Sequence, residues 1–248
     1  MTPDPIRLCV PHDGRTELAT GRLALDTRDG PLAVELTVPA GPTTTEDILP
    51  VLQGLSDLFV ARAKARVARE GKAISCRAGC AACCRQLVPV SGAEARHLAR
   101  LVAAMPEPRR SQVRARFDAV LAALDAAGML ERLTDPAGVT AAGEGIDYLR
   151  LGLDCPFLDG GTCSIYADRP LTCREFLVTS PPEHCATPET GRIEGVRLEW
   201  KLLSMLVRAE PDDGWTPLIL ALRHAERPPP PPRPGPAILG PIIATQQQ

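Results

Sequence analysis

The feature that most constrains this chain is the spacing of its cysteines. Cys76, Cys80, Cys83 and Cys84 fall within "CRAGCAACC", and Cys155, Cys163, Cys173 and Cys185 follow at intervals of 8, 10 and 12 residues. The first group alone admits several readings. On a continuous helix its members fall at i, i+4, i+7 and i+8, on one face, where free cysteine packs as a small hydrophobe. Gly79 weakens such a helix from within and lets backbone approach a cluster closely. Disulfides, a redox pair and metal ligands are the other readings.

The second group narrows the choice. "CPFLDGGTCSIYADRPLTCREFLVTSPPEHC" is rich in Pro, Gly, Asp and Thr, so turns dominate and a helix stripe does not explain its cysteines. The opening "MTPDPIRLCVPHDGR" has no apolar h-region, and no segment approaches about 18 uninterrupted apolar residues. The expectation is a cytoplasmic protein with no membrane partner. In a reducing compartment nine cysteines are not expected to form stable disulfides; clusters there bind metal or do redox chemistry. Thiolates hold zinc in four-sulfur sites and iron in sulfide clusters, and a Cys-Pro step, as at Cys155-Pro156, recurs at cluster ligands. The expected cofactor is therefore an iron–sulfur cluster or zinc.

Eight thiolates around two divalent ions keep an excess of negative charge, so cationic or N–H donors are needed nearby. Arg77, Arg85, Arg169 and Arg174 each lie within four residues of a cysteine. The formal net charge of −2 asks for no nucleic acid. The densest basic run, "PRRSQVRARF" with Arg109, Arg110, Arg114 and Arg116, reads as a solvated helix face.

"CRAGCAACC" followed by "CPFLDGGTCSIYADRPLTCREF" resembles the YkgJ-type cysteine-cluster family, also called CxxCxxCC, of zinc- or iron-chelating domains. The most specific block runs from Cys155 to Arg174 and includes Tyr166, Arg169 and Pro170. The resemblance implies eight metal-binding cysteines: Cys76, Cys80, Cys83, Cys84, Cys155, Cys163, Cys173 and Cys185. The chain departs from the family pattern at its first gap, which has three residues instead of two. A related cluster in flagellin lysine-N-methylases implies, by analogy, iron–sulfur chemistry with a methyl donor; it fixes no catalytic residue here.

Away from the cysteines the chain reads as mainly α. Residues 22–38 alternate around Asp29-Gly30, a hairpin signal. Thr44 with Asp47 marks a helix start, and Leu52, Leu55, Phe59, Ala63 and Val67 recur at helical spacing up to about Glu70. Ser91-Gly-Ala-Glu94 is a capping box. Further helices are expected over about 107–127, from Val196 and around "PLILALRHAE", and "TDPAGVTAAGEG" is expected to be a loop. The organisation expected is an N-terminal extension over 1–45, a helical metal-binding domain over 46–226 with helices around a loop-rich cysteine knuckle, and a disordered Pro-rich tail over 227–248. That tail is expected to add nothing to the core and is a candidate docking segment for a protein partner.

Other functions stay open at this point. Cys76-x3-Cys80-x2-Cys83 is the spacing of radical S-adenosylmethionine enzymes, although the residues after it read as helices. Cys80-Ala-Ala-Cys83 is a CxxC without a thioredoxin-like βαβ pattern around it. A structural zinc domain acting as an interaction module needs no reaction at all. His184 is an alternative ligand to Cys185; His12, His97 and His224 read as surface or helix residues, and Cys9 as a free thiol. Glu175 reads either as support for the ligands or as half of a salt bridge. On a helix the side chains of Cys83 and Cys84 diverge by about 100°, so they serve different metals or the helix breaks between them.

Overall fold

The computed structural model describes residues 4–77, 79–134, 142–187 and 192–244. Strands β1 (Ile6–Cys9), β2 (Leu18–Thr27) and β3 (Gly30–Pro39) form a sheet in the order β1-β3-β2, with β1 parallel and β2 antiparallel to β3. The hairpin is the expected one, enlarged by β1, which carries Cys9. Gly30, at φ +94, closes its turn in a conformation that only glycine adopts without strain. Every second residue of β3 (Leu32, Val34, Leu36 and Val38) is buried, as a sheet with one wet face requires.

After β4 (Pro42–Thr43), helix α1 (Thr45–Arg69) opens on the predicted cap, with Asp47 accepting from the Thr44 N–H and hydroxyl. Its Ile48, Leu49, Leu52, Leu55 and Phe59 pack against β3. The polar side of α1 holds the hairpin turn. Arg62 donates to the Thr27 hydroxyl and to the Asp29 and Gly30 carbonyls, while Arg66 and Arg69 each pair with the Asp29 carboxylate at 2.8 Å.

A 3-10 turn (Ala82–Arg85) leads to β5 (Pro89–Ser91), α2 (Gly92–Ala104), α3 (Arg109–Ala126), α4 (Leu130–Thr134) and α5 (Ala142–Arg150). The capping box at Ser91 and Glu94 forms as expected. The expected loop over 134–145 is corrected at its end, because α5 begins within it; residues 135–141 lie outside the described residues. The hairpin β6 (Leu158–Asp159) and β7 (Thr162–Cys163) packs under α3, where Phe157 meets Phe117 edge to face with centroids 5.4 Å apart. Short helices α6 (Leu171–Glu175) and α7 (Glu183–Ala186) follow.

The helix expected from Val196 starts only at Leu202 (α8, Leu202–Ala209). Before it the chain is extended, paired to 177–179 through Thr179 N–H to Glu194 O and Val196 N–H to Leu177 O. The Glu175 carboxylate then accepts the Leu202 N–H at 2.7 Å and fixes where the helix begins. "PLILALRHAE" divides into the end of β8 (Trp215–Pro217), a 3-10 turn (Leu218–Leu220) and α9 (Ala221–His224).

The tail differs most from expectation. Strand β9 (Arg233–Pro234) pairs with β4, and α10 (Gly235–Ala244) buries Ile238, Leu239 and Ile242 in the same core as α1 and β3. The six-residue run Pro228–Arg233 hid an apolar helix behind a polyproline composition. Gly235 lies so close to the chain that a Cβ there would meet the Pro39 oxygen at 2.4 Å. Among the described residues the fold thus has ten helices and a small N-terminal sheet, and no helix is long and apolar enough to cross a membrane.

Candidate metal centre

Cys76–Cys84 is not a continuous helix, which removes the core-stripe reading. Ser75 donates to the Val178 carbonyl at 2.9 Å, Cys80 N–H closes a turn onto Arg77 O, and only Ala82–Arg85 is helical, as a 3-10 turn. Gly79 supports the turn at φ +81, so the extra residue in the first gap is absorbed in a reversal of the chain.

The two sequence regions meet at this turn. Cys155 N–H donates to Cys84 O at 2.7 Å, and Arg85 pairs with Asp154 at 2.8 Å. From the other side α7 packs on the turn, with the Gln86 amide donating to Cys185 O at 3.1 Å. Helix α3 holds the β6–β7 hairpin: Arg116 donates to Leu158 O at 2.9 Å and Arg109 to Ser164 O at 2.5 Å. The basic run is therefore not a free solvated face. Two of its arginines anchor the hairpin between Cys155 and Cys163, a role that composition alone does not signal.

All nine cysteines are free thiols. Cys9, at the exposed end of β1, stands outside the electrostatic network of the other eight. Within that network the interactions divide. Cys76 and Cys185 are raised by burial and then by neighbouring thiolates, both by Cys83 and Cys80, and Cys185 also by Cys76. Cys155, pushed up to about 12 by burial, interacts with Cys163 and Cys83; Cys173, raised well above the thiol range by burial, interacts with Cys155, Cys83 and Cys163. The Cys84 thiol donates to the Cys83 sulfur, which lowers Cys83 and raises Cys84. Cys84 also feels Cys155 and Cys163. Apart from Cys83, whose charge reaches both sides, the thiols fall into Cys76, Cys80 and Cys185 against Cys84, Cys155, Cys163 and Cys173.

Backbone donors already point at sulfur. Phe157 N–H serves Cys155, and Ile165 N–H serves Cys163, each two residues after the cysteine; Val178 N–H serves Cys76. Such donors favour the thiolate. Of the four candidate arginines, Arg169 stabilises thiolate at Cys83 and Cys163. Its guanidinium lies 3.6 Å over the Tyr166 ring, and its Nε donates to Tyr166 O. Arg174 is buried and structural: it pairs with Asp57 and donates to the Ala167 and Arg169 carbonyls. Among the described residues, the thiols as they stand do not converge as three or more ligands on one point. The fit to a metal lies in the donor chemistry: eight free thiols from two regions of the sequence, soft donors by type, with N–H groups beside several of them.

Other candidates resolve differently. His184 is half-buried, with Nδ1 2.9 Å from Arg192 O. His97 approaches Asp168 at 3.8 Å, and His224 is buried in α9. Among the described residues Glu175 forms no salt bridge; it accepts from Leu202 N–H and the Ser56 hydroxyl, and burial pushes its carboxyl up to about 7. An apolar cavity of about 270 Å³ lies between β2, β3 and α10 and is lined by no cysteine.

Residues 75–191 match the model of the family described as "CxxCxxCC: Putative zinc- or iron-chelating domain". The match covers less than half of the chain and supports metal binding, in general terms, for this part of it. Comparison with curated proteins and with solved structures gives no match.

Proposed function

We propose that the cysteine domain chelates zinc or iron through two tetrathiolate sets. One is Cys76, Cys80, Cys83 and Cys185; the other is Cys84, Cys155, Cys163 and Cys173. The observation that carries this reading is geometric: on one side of the 3-10 turn Cys155 N–H donates to Cys84 O at 2.7 Å, and on the other the Gln86 amide donates to Cys185 O at 3.1 Å, while the charge of Cys83 reaches both sets. In a 3-10 turn neighbouring side chains diverge by about 120°, so adjacent cysteines reach two sites more readily than one.

In this reading the β6–β7 hairpin presents Cys155 and Cys163 with their N–H···S bonds, α6 presents Cys173, and α7 presents Cys185. Arg169 offsets part of the thiolate charge. A bound zinc would supply cross-linking of the two regions, and an iron–sulfur cluster would add electron transfer. Because ligands come from both regions, metal binding contributes directly to folding. A zinc form would act as a structural module, with the exposed Pro228, Pro229, Pro231 and Pro232 available to a partner. The helices and two-stranded antiparallel ladders that follow Cys83 give no support to a radical S-adenosylmethionine barrel. The test is metal, sulfide and visible-spectrum analysis of anaerobically purified protein. Colourless protein with two zinc ions, or brown protein with iron and sulfide, supports the reading and separates its two forms. Metal-free protein with reactive thiols contradicts it.

A further inference from the structure

Helix α6 has five residues, too few to hold a helical conformation by itself. Four of the five are tied to other elements. Leu171 N–H donates to Glu94 Oε1 at 2.7 Å, and the Thr172 hydroxyl to Pro89 O at 2.8 Å. Arg174 pairs with Asp57 of α1, and Glu175 accepts from Leu202 N–H of α8. The remaining residue is Cys173.

Glu94 is the unexpected member of this set. As the capping-box glutamate of α2 it accepts from the Ser91 N–H and hydroxyl through Oε2, at 2.9 Å each. That task alone is ordinarily done at a solvent-exposed helix start. Here Glu94 is 2% exposed, and burying a carboxylate is unfavourable unless each oxygen is used. Its second oxygen serves Leu171, 77 residues further along the chain. One side chain therefore joins the segment that follows Cys84 to the helix that carries Cys173.

We propose that Glu94 is a positioning residue for Cys173, fixing through Leu171 the place of the helix α6 that carries this thiol. This rests on the reading of Cys173 as a metal ligand. Residues that orient ligands in this way change metal affinity by about 10–100-fold when replaced.

The test is anaerobic titration of reduced, metal-free full-length protein with Co2+, read by sulfur-to-cobalt charge-transfer absorption, with circular dichroism of the same samples. Wild type should bind two Co2+ ions. Glu94→Gln cannot satisfy both Leu171 N–H and Ser91 N–H, because its amide offers one acceptor oxygen. It should weaken one of the two Co2+ ions by about tenfold and leave the other unchanged. Glu94→Ala should weaken the same ion by up to about 100-fold; should it fail to fold, Glu94→Gln decides. A folded variant that binds both ions with wild-type affinity overturns the proposal, as does equal weakening of both ions. Absence of charge-transfer absorption in wild type overturns the metal reading itself, and the proposal with it.

Discussion

The backbone N–H of Cys155 donates to the carbonyl oxygen of Cys84 at 2.7 Å. This bond sets the second cysteine region directly against the end of the first. In the proposed reading Cys84 then serves with Cys155, Cys163 and Cys173, and Cys83 with Cys76, Cys80 and Cys185. Replacing Cys80 or Cys163 with serine should each remove one of two metal equivalents, and the double variant should remove both. Each single variant should also lower the melting temperature by about 2–8 °C, what about 1–2 kcal/mol gives for a chain of this size. Metal analysis and thermal melting check this; two single variants with full metal content and unchanged melting would return these thiols to ordinary packing.

In metal-free, reduced protein Cys83 should be more acidic than Cys185. The Cys84 thiol donates to it and holds it down to about 7, while burial pushes Cys185 up to about 11. A lowered value means that thiolate prevails above pH 7. Alkylation mapped by mass spectrometry should therefore show Cys83 reacting with a midpoint near 7, and Cys185 only at more alkaline pH. Cys84→Ala removes the donor and should move the Cys83 midpoint up toward about 8.5, the value of a free cysteine. An unchanged midpoint in that variant would contradict the bond.

Arg96 is buried between Glu46, at 2.5 Å, and Asp213, at 2.6 Å. Arg96→Met leaves two buried carboxylates without a partner and should cost about 3–5 kcal/mol at neutral pH. An unpaired buried carboxyl has a raised pKa, so its folded form gains protons as pH falls. The deficit of the variant should therefore shrink toward pH 5. Urea unfolding of wild type and variant at pH 5 and pH 7 tests both the size and the sign.

Ile238 of α10 is 1% exposed in the core shared with α1 and β3. Ile238→Ala should destabilise the protein by about 2–5 kcal/mol. A helix lying outside the core would instead give a change within about 0.5 kcal/mol. Denaturant unfolding distinguishes the two.

Much of this architecture was readable from residues alone. The hairpin at Asp29-Gly30, the caps at Thr44 and Ser91, and the stripe Leu52, Leu55, Phe59, Ala63 and Val67 are local signals, and each forms. What escaped is set by distant contacts. Helix α8 starts late because Glu175 takes the Leu202 N–H. Helix α10 is an apolar segment whose preceding prolines resemble a linker, yet they only turn the chain back onto β3. At the site, spacing drew attention to the two cysteine regions and to Arg169 as one of four arginines near them. The anchoring by Arg109 and Arg116 and the double use of Glu94 depend on which carbonyls and N–H groups the fold brings within reach, and no local pattern encodes that.

The most direct measurement is the metal, sulfide and thiol count of full-length protein purified without oxygen, taken with its visible spectrum. Two zinc ions, or iron and sulfide sufficient for two clusters, should be found, with eight of the nine thiols protected from alkylation until a chelator is added. Protein that carries less than one metal ion per chain and alkylates at all nine thiols before chelation would contradict the account.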